Sequence, residues 1–363
     1  MRIEIKLLLL ITAMWAGCKA DKTEQTQAQR LIETLKSVQA KGTLFGHQDD
    51  LAYGMKWSYI EGESDVKRVA GDYPALFGWE LGGLERGDLK NLDDVPFDVM
   101  RQLAIKADEM GGINTFSWHP YSVVNGKNSW NTDTTTVKYI IPGGSRHEQF
   151  KAQLDQIANF FLQLKTSDGK LMPVIFRPWH EMSGGWFWWG TKLTSPEEYK
   201  TLFRFTIDYL VHEKGLTNMV ICYSPNSGFQ TEQEYLTWYP GNDIIDIMGV
   251  DDYQHPSTVD WPGQLQKTLD IVIKTANKNQ KLAAFSETGY ENIPDSLWFT
   301  DQLGKAIEPD SIAQNLSYVM VWRNDSNVHH FFAYDGHPSE ANAKSFLNQP
   351  NIWLLNDFNK NKK

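Results

Sequence analysis

The chain has 363 residues, with 35 Lys and Arg against 45 Asp and Glu, a net charge of −10, and 41% hydrophobic residues. That is enough apolar material for a large core, which excludes wholesale disorder, and the acidic balance argues against a nucleic-acid partner, which needs clustered Lys and Arg. Aromatic residues make up 13%, including 14 Trp, and such side chains are costly to leave wet unless they face a ligand such as a sugar ring.

Residues 1–18 read as a targeting segment: Arg2 and Lys6, the apolar run Leu7–Ile11, then small residues. That run is too short to span a bilayer as a permanent helix. Trp15-Ala16-Gly17-Cys18 resembles a bacterial lipobox, although Trp15 stands where Leu is usual, so Cys18 is the expected lipid anchor. The polar stretch 19–29 is expected to be a tether, with the folded domain over 30–363. The residues after Cys18 carry no acidic cluster, which points to an exported protein on the periplasmic face. Cys222 is then the one cysteine left, in an apolar stretch, and reads as a buried hydrophobe.

Past the tether, short apolar runs alternate with helical patterns. The runs are Thr43–His47, Tyr73–Leu81, Gly111–His119, Leu171–His180, Asn218–Ser224, Ile244–Asp251, Leu282–Glu287 and Leu316–Arg323. Runs without polar alternation suit strands of a parallel sheet covered on both faces. Helices are expected at Val95–Met110, Arg146–Lys165, Pro196–Glu213, Pro262–Asn277 and Ser339–Leu347; at Ser195-Pro196-Glu197-Glu198 a cap, a Pro and acidic residues mark a start. Eight such runs point to an α/β fold, a single (β/α)8 TIM barrel. The glycine patches Gly82-Gly83 and Gly143-Gly144 lack the spacing of a phosphate loop.

Catalytic groups of such a barrel sit at the C-terminal strand ends. Those positions hold His47 and Gln48, Trp79 and Glu80, Trp118 and His119, His180 and Glu181, Ser224 and Asn226, Asp251 to Tyr253, Glu287, and Trp322 and Arg323. The set suits an uncharged, polyhydroxylated ligand. Glu181 closes the fourth run and Glu287 the seventh, nearly across the barrel, and two carboxylates flanking a glycosidic bond are the minimum apparatus for its hydrolysis. Glu181 is the expected acid because Trp186, Phe187, Trp188 and Trp189 follow it; His180, Tyr253 and Arg323 are the expected donors to Glu287. The His180-Glu181 pair is no zinc-peptidase motif, since position 184 is Gly184. No third metal ligand sits at a convincing spacing beside His119 and His180, so no metal is expected, and His329-His330 receives no role.

Over essentially the whole mature chain the sequence resembles glycoside hydrolase family 26, best known for β-mannanases. The likeness rests on Arg177-Pro-Trp-His-Glu-Met-Ser-Gly-Gly-Trp-Phe-Trp-Trp-Gly and Phe285-Ser-Glu-Thr-Gly, supported by Phe45-Gly-His-Gln, Ser117-Trp-His-Pro, Asp251-Asp-Tyr and Val321-Trp-Arg-Asn. The resemblance implies Glu181 as acid/base and Glu287 as nucleophile, with carboxyl groups about 5–5.5 Å apart as retention requires. It implies that His180 contacts the nucleophile or the sugar, and that Trp186 and Tyr253 line the cleavage subsite. His119 and Trp322 would contact the glycone side, and Arg323 the next sugar outward. A retaining β-1,4-mannanase acting on mannan, glucomannan or galactomannan, monomeric and without cofactor, is the expectation. A β-1,3-xylanase, a mixed-linkage β-glucanase or a non-catalytic glycan-binding lipoprotein are the alternatives. Internal or terminal attack depends on loops such as 121–145 and 324–338.

Overall fold

The computed structural model describes residues 25–362; the targeting segment, Cys18 and most of the tether lie outside them. Eight parallel strands follow in order: β1 (Thr43–Gln48), β2 (Leu76–Glu80), β3 (Ile113–Trp118), β4 (Val174–Pro178), β5 (Met219–Tyr223), β6 (Ile247–Tyr253), β7 (Leu282–Gly289) and β8 (Tyr318–Val321). Each pairs with the next, and β8 returns to β1 with Leu44 opposite Tyr318 and His47 opposite Val321, which closes the barrel. Every predicted run overlaps one of these strands, in the predicted order. Runs two to five and run eight overshoot their strands, because the residues flanking each strand lie in the connecting loops. β6 and β7 instead reach further, to Tyr253 and Gly289, past a register shift at Val250/Asp251 that sets Asp251 opposite Glu287.

Between the strands run α2 (Phe97–Glu109), α3 (His147–Phe161), α4 (Pro196–Asp208), α5 (Trp261–Lys278) and α6 (Glu340–Leu347), each within two residues of its predicted start. α4 begins on a reciprocal capping box between Ser195 and Glu198, and its last turn widens into a π-helix over Tyr209–Glu213. The chain ends with β9 (Ile352–Trp353), which pairs beside the lower half of β1, and α7 (Leu355–Asn361).

One element corrects the expected boundaries. A helix, α1, spans Gln27–Gln39, so residues 27–29, assigned to the tether, are helical. Thr26 caps it, accepting from Gln29 N while the Gln29 side chain returns to the Thr26 N–H, and Ala28, Leu31, Leu35 and Val38 fall on one buried face.

The core has two layers. Inward-facing Leu44, Leu76, Ile175, Val220, Ile247, Leu282 and Met320 fill the barrel, and α1 joins them to plug its lower end. A larger aromatic-rich layer fills the space between strands and surrounding helices. The lower end is thereby sealed with apolar contacts, leaving the polar strand ends on the opposite side.

Candidate active site

The chain leaves β4 through a tight turn. Trp179 and Glu181 both take left-handed backbone angles, φ 55° and 53°, which β-carbon-bearing residues adopt at a cost. The turn is locked by Glu181 N–H donating to Ser224 O at the end of β5, 2.8 Å, and by Trp189 Nε1 donating to His180 O, 2.9 Å. Trp188 and Trp189 are buried and serve as packing. Trp186 is the exposed member of the run, and its Nε1 donates to Glu181 Oε2 at 2.9 Å.

Glu287, on β7, is held from two sides: Tyr253 Oη donates to Oε1 at 2.6 Å, and the Arg177 guanidinium engages Oε2. Of the three donors expected for this carboxylate, Tyr253 is one, while His180 and Arg323 point elsewhere. Arg177, on β4, takes their place, and it also donates to Asp251 Oδ2 at 2.6 Å. Asp251 Oδ1 accepts from Ser286 Oγ at 2.7 Å, a contact that passes beside Gly249, where a β-carbon would stand 2.5 Å from that hydroxyl. One buried cation thus serves two buried carboxylates.

The electrostatics single out Glu181 and its neighbour Asp251. Burial pushes the Glu181 carboxyl well above the carboxylate range, and the charges of Glu287 and Asp251 push the same way against Arg177. Burial likewise carries Asp251 up to about 7 despite Arg177. Burial opposes the charge of Arg177, but Asp251 and Glu287 outweigh it and keep the guanidinium charged. Burial and the Glu287 charge keep Tyr253 a neutral donor. A protonated carboxyl beside a carboxylate anchored by an arginine and a phenol can give a proton and an electron pair to one bound molecule.

Glu181 and Glu287 line a cavity of about 570 Å³ with His119, Trp130, Trp186, Tyr253 and Trp322. His180 lies behind that wall, its Nε2 3.1 Å from His119 Nε2. Arg323 turns towards the β1–β2 side, paired with Asp93 and Asp325 and accepted by Tyr53 Oη, and is not among the cavity residues. Trp130 comes from the loop after β3, where no local pattern marks it; it stacks on His119 with 10° between ring planes. Arg177 stands one strand position from apolar neighbours and reads as a motif residue until β6 and β7 are folded against it.

The chain matches the model of glycosyl hydrolase family 26 over residues 20–331. It is 31% identical over 354 residues to a mannan endo-1,4-beta-mannosidase of Bifidobacterium adolescentis, a match that covers 90% of this chain but 34% of the relative, so the chain spans about a third of that protein's length. A GH26 beta-mannanase structure from Bacteroides ovatus superposes with a TM-score of 0.88 and 42% identity, covering 92% of this chain and 96% of the other. The catalytic domain of a GH26 endo-beta-1,4-mannanase from Bacillus sp. JAMB-750 gives 0.85 and 32%, covering 93% and 94%. With its closed barrel and two carboxyl groups at the ends of the fourth and seventh strands, the chain belongs to glycosyl hydrolase family 26.

Proposed function

We propose that the chain is a retaining β-1,4-mannanase, with Glu181 as acid/base and Glu287 as nucleophile. The observation that carries this reading is the pair itself: a carboxyl that burial favours in its protonated form and a carboxylate anchored by Tyr253 and Arg177, both lining one cavity. The mannan specificity is drawn from the names of the relatives. Glu287 attacks the anomeric carbon as Glu181 gives its proton to the departing oxygen, leaving a glycosyl ester. Water then attacks that carbon, its proton passes to Glu181, and Glu287 leaves as carboxylate. Trp186 and Tyr253 would border the cleavage point, His119 and Trp322 the glycone sugar, and Arg323 the sugar beyond. His180 acts through His119.

Timed product analysis on mannohexaose tests substrate and roles together. Wild type should release short mannosides, and Glu287→Ala should abolish turnover while oligosaccharide affinity stays within a few-fold. Glu181→Gln should lose roughly 10²–10⁴-fold on this substrate and far less on an aryl mannoside whose leaving group needs no proton. Unaltered activity in either variant refutes its role; cleavage of xylan or lichenan with mannohexaose untouched refutes the mannan reading. We also propose that the protein is a monomer exported and tethered to the membrane through a lipid on Cys18, facing the periplasm.

A further inference from the structure

A polar chain leads away from the catalytic carboxylates to β2. Glu80 is fully buried, and four donors converge on its carboxylate. Gly82 N and His119 N bond Oε1 at 2.6 and 2.8 Å, and Ser117 Oγ and His119 Nδ1 bond Oε2 at 2.6 and 2.8 Å. A carboxylate so solvated by fixed donors stays ionised. Burial works against it, but the charge and hydrogen bonds of His119, with Ser117, hold Glu80 below its ordinary value.

His119 therefore meets an anion at Nδ1, while its Nε2 faces His180 Nε2 at 3.1 Å. Two nitrogens that close share one proton, because two N–H groups could not point at each other. The surroundings decide which ring owns it. Around His119 stand three acidic groups, Glu80 on β2, Asp93 in the following loop and Glu287 on β7, with the face of Trp130 stacked against it. Burial opposes its charge, yet Glu80, then Glu287 and Asp93, raise the ring above its ordinary value. Around His180 stand Arg177 and His119, and burial followed by those two cations keeps it well below. Placed on His119, the shared proton gives that ring a donor for each neighbour, Glu80 through Nδ1 and His180 through Nε2.

We propose that Glu80 is a positioning residue for the reaction: by bonding His119 at both its backbone N–H and Nδ1 it holds that ring, as a cation, in the wall of the cavity that Glu287 also lines. The inference rests on the reading of Glu287 as nucleophile. That group spends its negative charge when the glycosyl ester forms and recovers it when water breaks the ester. A fixed cation in the same cavity offsets the negative charge that returns as the ester breaks and so favours departure of the carboxylate.

Glu80→Gln isolates the charge. The amide oxygen can still accept from Gly82 and His119 N, while the amide N–H₂ turns to His119 Nδ1 and leaves that ring neutral, with its proton on Nε2 towards His180. Imidazole ¹⁵N spectra of the free enzyme at pH 7, assigned with His119→Asn and His180→Asn, should show a cationic His119 and a neutral His180 in wild type, and a neutral His119 in Glu80→Gln. In the same variant the acidic limb of kcat/KM should move up by about one pH unit, with KM little changed, and Glu80→Asp should return it part of the way. A neutral His119 in wild type overturns the proposal even if the variant fails to fold, and so does an unmoved acidic limb in folded Glu80→Gln. Turnover surviving in Glu287→Ala overturns the nucleophile assignment whatever the state of His119, so the two failures are distinguishable.

Discussion

Glu181 combines a left-handed backbone, burial and the neighbouring charge of Glu287, three burdens that a residue kept for stability would shed. Its folded-state pKa is raised, so ionisation opposes folding: the penalty is absent below the unfolded value near 4.5, grows as pH rises from there towards the folded value, and is complete above it. Glu181→Gln keeps the shape and removes the charge. It should therefore be more stable than wild type at pH 8 by about 0.5–2 kcal/mol, with the gain vanishing towards pH 4. Urea titrations at the two pH values check this, and a variant less stable at pH 8 would show that the carboxylate contributes to folding. The Glu80–His119 pair has two edges. The raised His119 contributes stability that is present below its unfolded value and lost as pH rises through its folded one, and the lowered Glu80 contributes stability lost as pH falls through its own.

At the scale of elements, strands position the chemistry and loops decide access to it. Arg177 reaches both Asp251 and Glu287 because β4, β6 and β7 bring their ends to one side of a closed sheet. α1 does the opposite job, far from the cleft, by covering the lower end of the barrel. Leu35 is completely enclosed there, so Leu35→Ala should destabilise the fold by about 2–5 kcal/mol while KM and kcat of the folded fraction stay at wild-type values. Chemical denaturation with parallel kinetics tests this, and a changed KM would tie α1 to the cleft. The cap at Thr26 and the apolar spacing of Leu31, Leu35 and Val38 are local signals of this helix; set beside a polar leader segment, they read as tether.

For the molecule as a whole, the described residues form a closed barrel with two apolar layers, and Cys222, the free cysteine among them, is buried within it. Burial pushes its thiol up to about 12, so it stays an inert thiol. The proposed lipid anchor therefore rests on Cys18, which the sequence places in a lipobox-like stretch. Expression with a radiolabelled fatty acid should label wild type and send it to the membrane fraction, whereas Cys18→Ala should be unlabelled with the catalytic constants of its folded domain unchanged. Labelling that survives in the variant removes the anchor from Cys18.

The order of strands and helices, the barrel, and Glu181 and Glu287 at the ends of strands four and seven were legible from the residues alone. Apolar runs, caps and polar strand ends are local properties that neighbours in sequence impose on one another. The partners of those carboxylates were decided elsewhere. Arg177 displaced His180 and Arg323 as donor to Glu287, one tryptophan of the 186–189 run faces the acid while its neighbours pack, and His119 found Glu80 and His180. Those choices depend on register, on the β6–β7 shift and on loop paths. Such features bring side chains together across many residues of chain, and closing the barrel is what sets the distances between them.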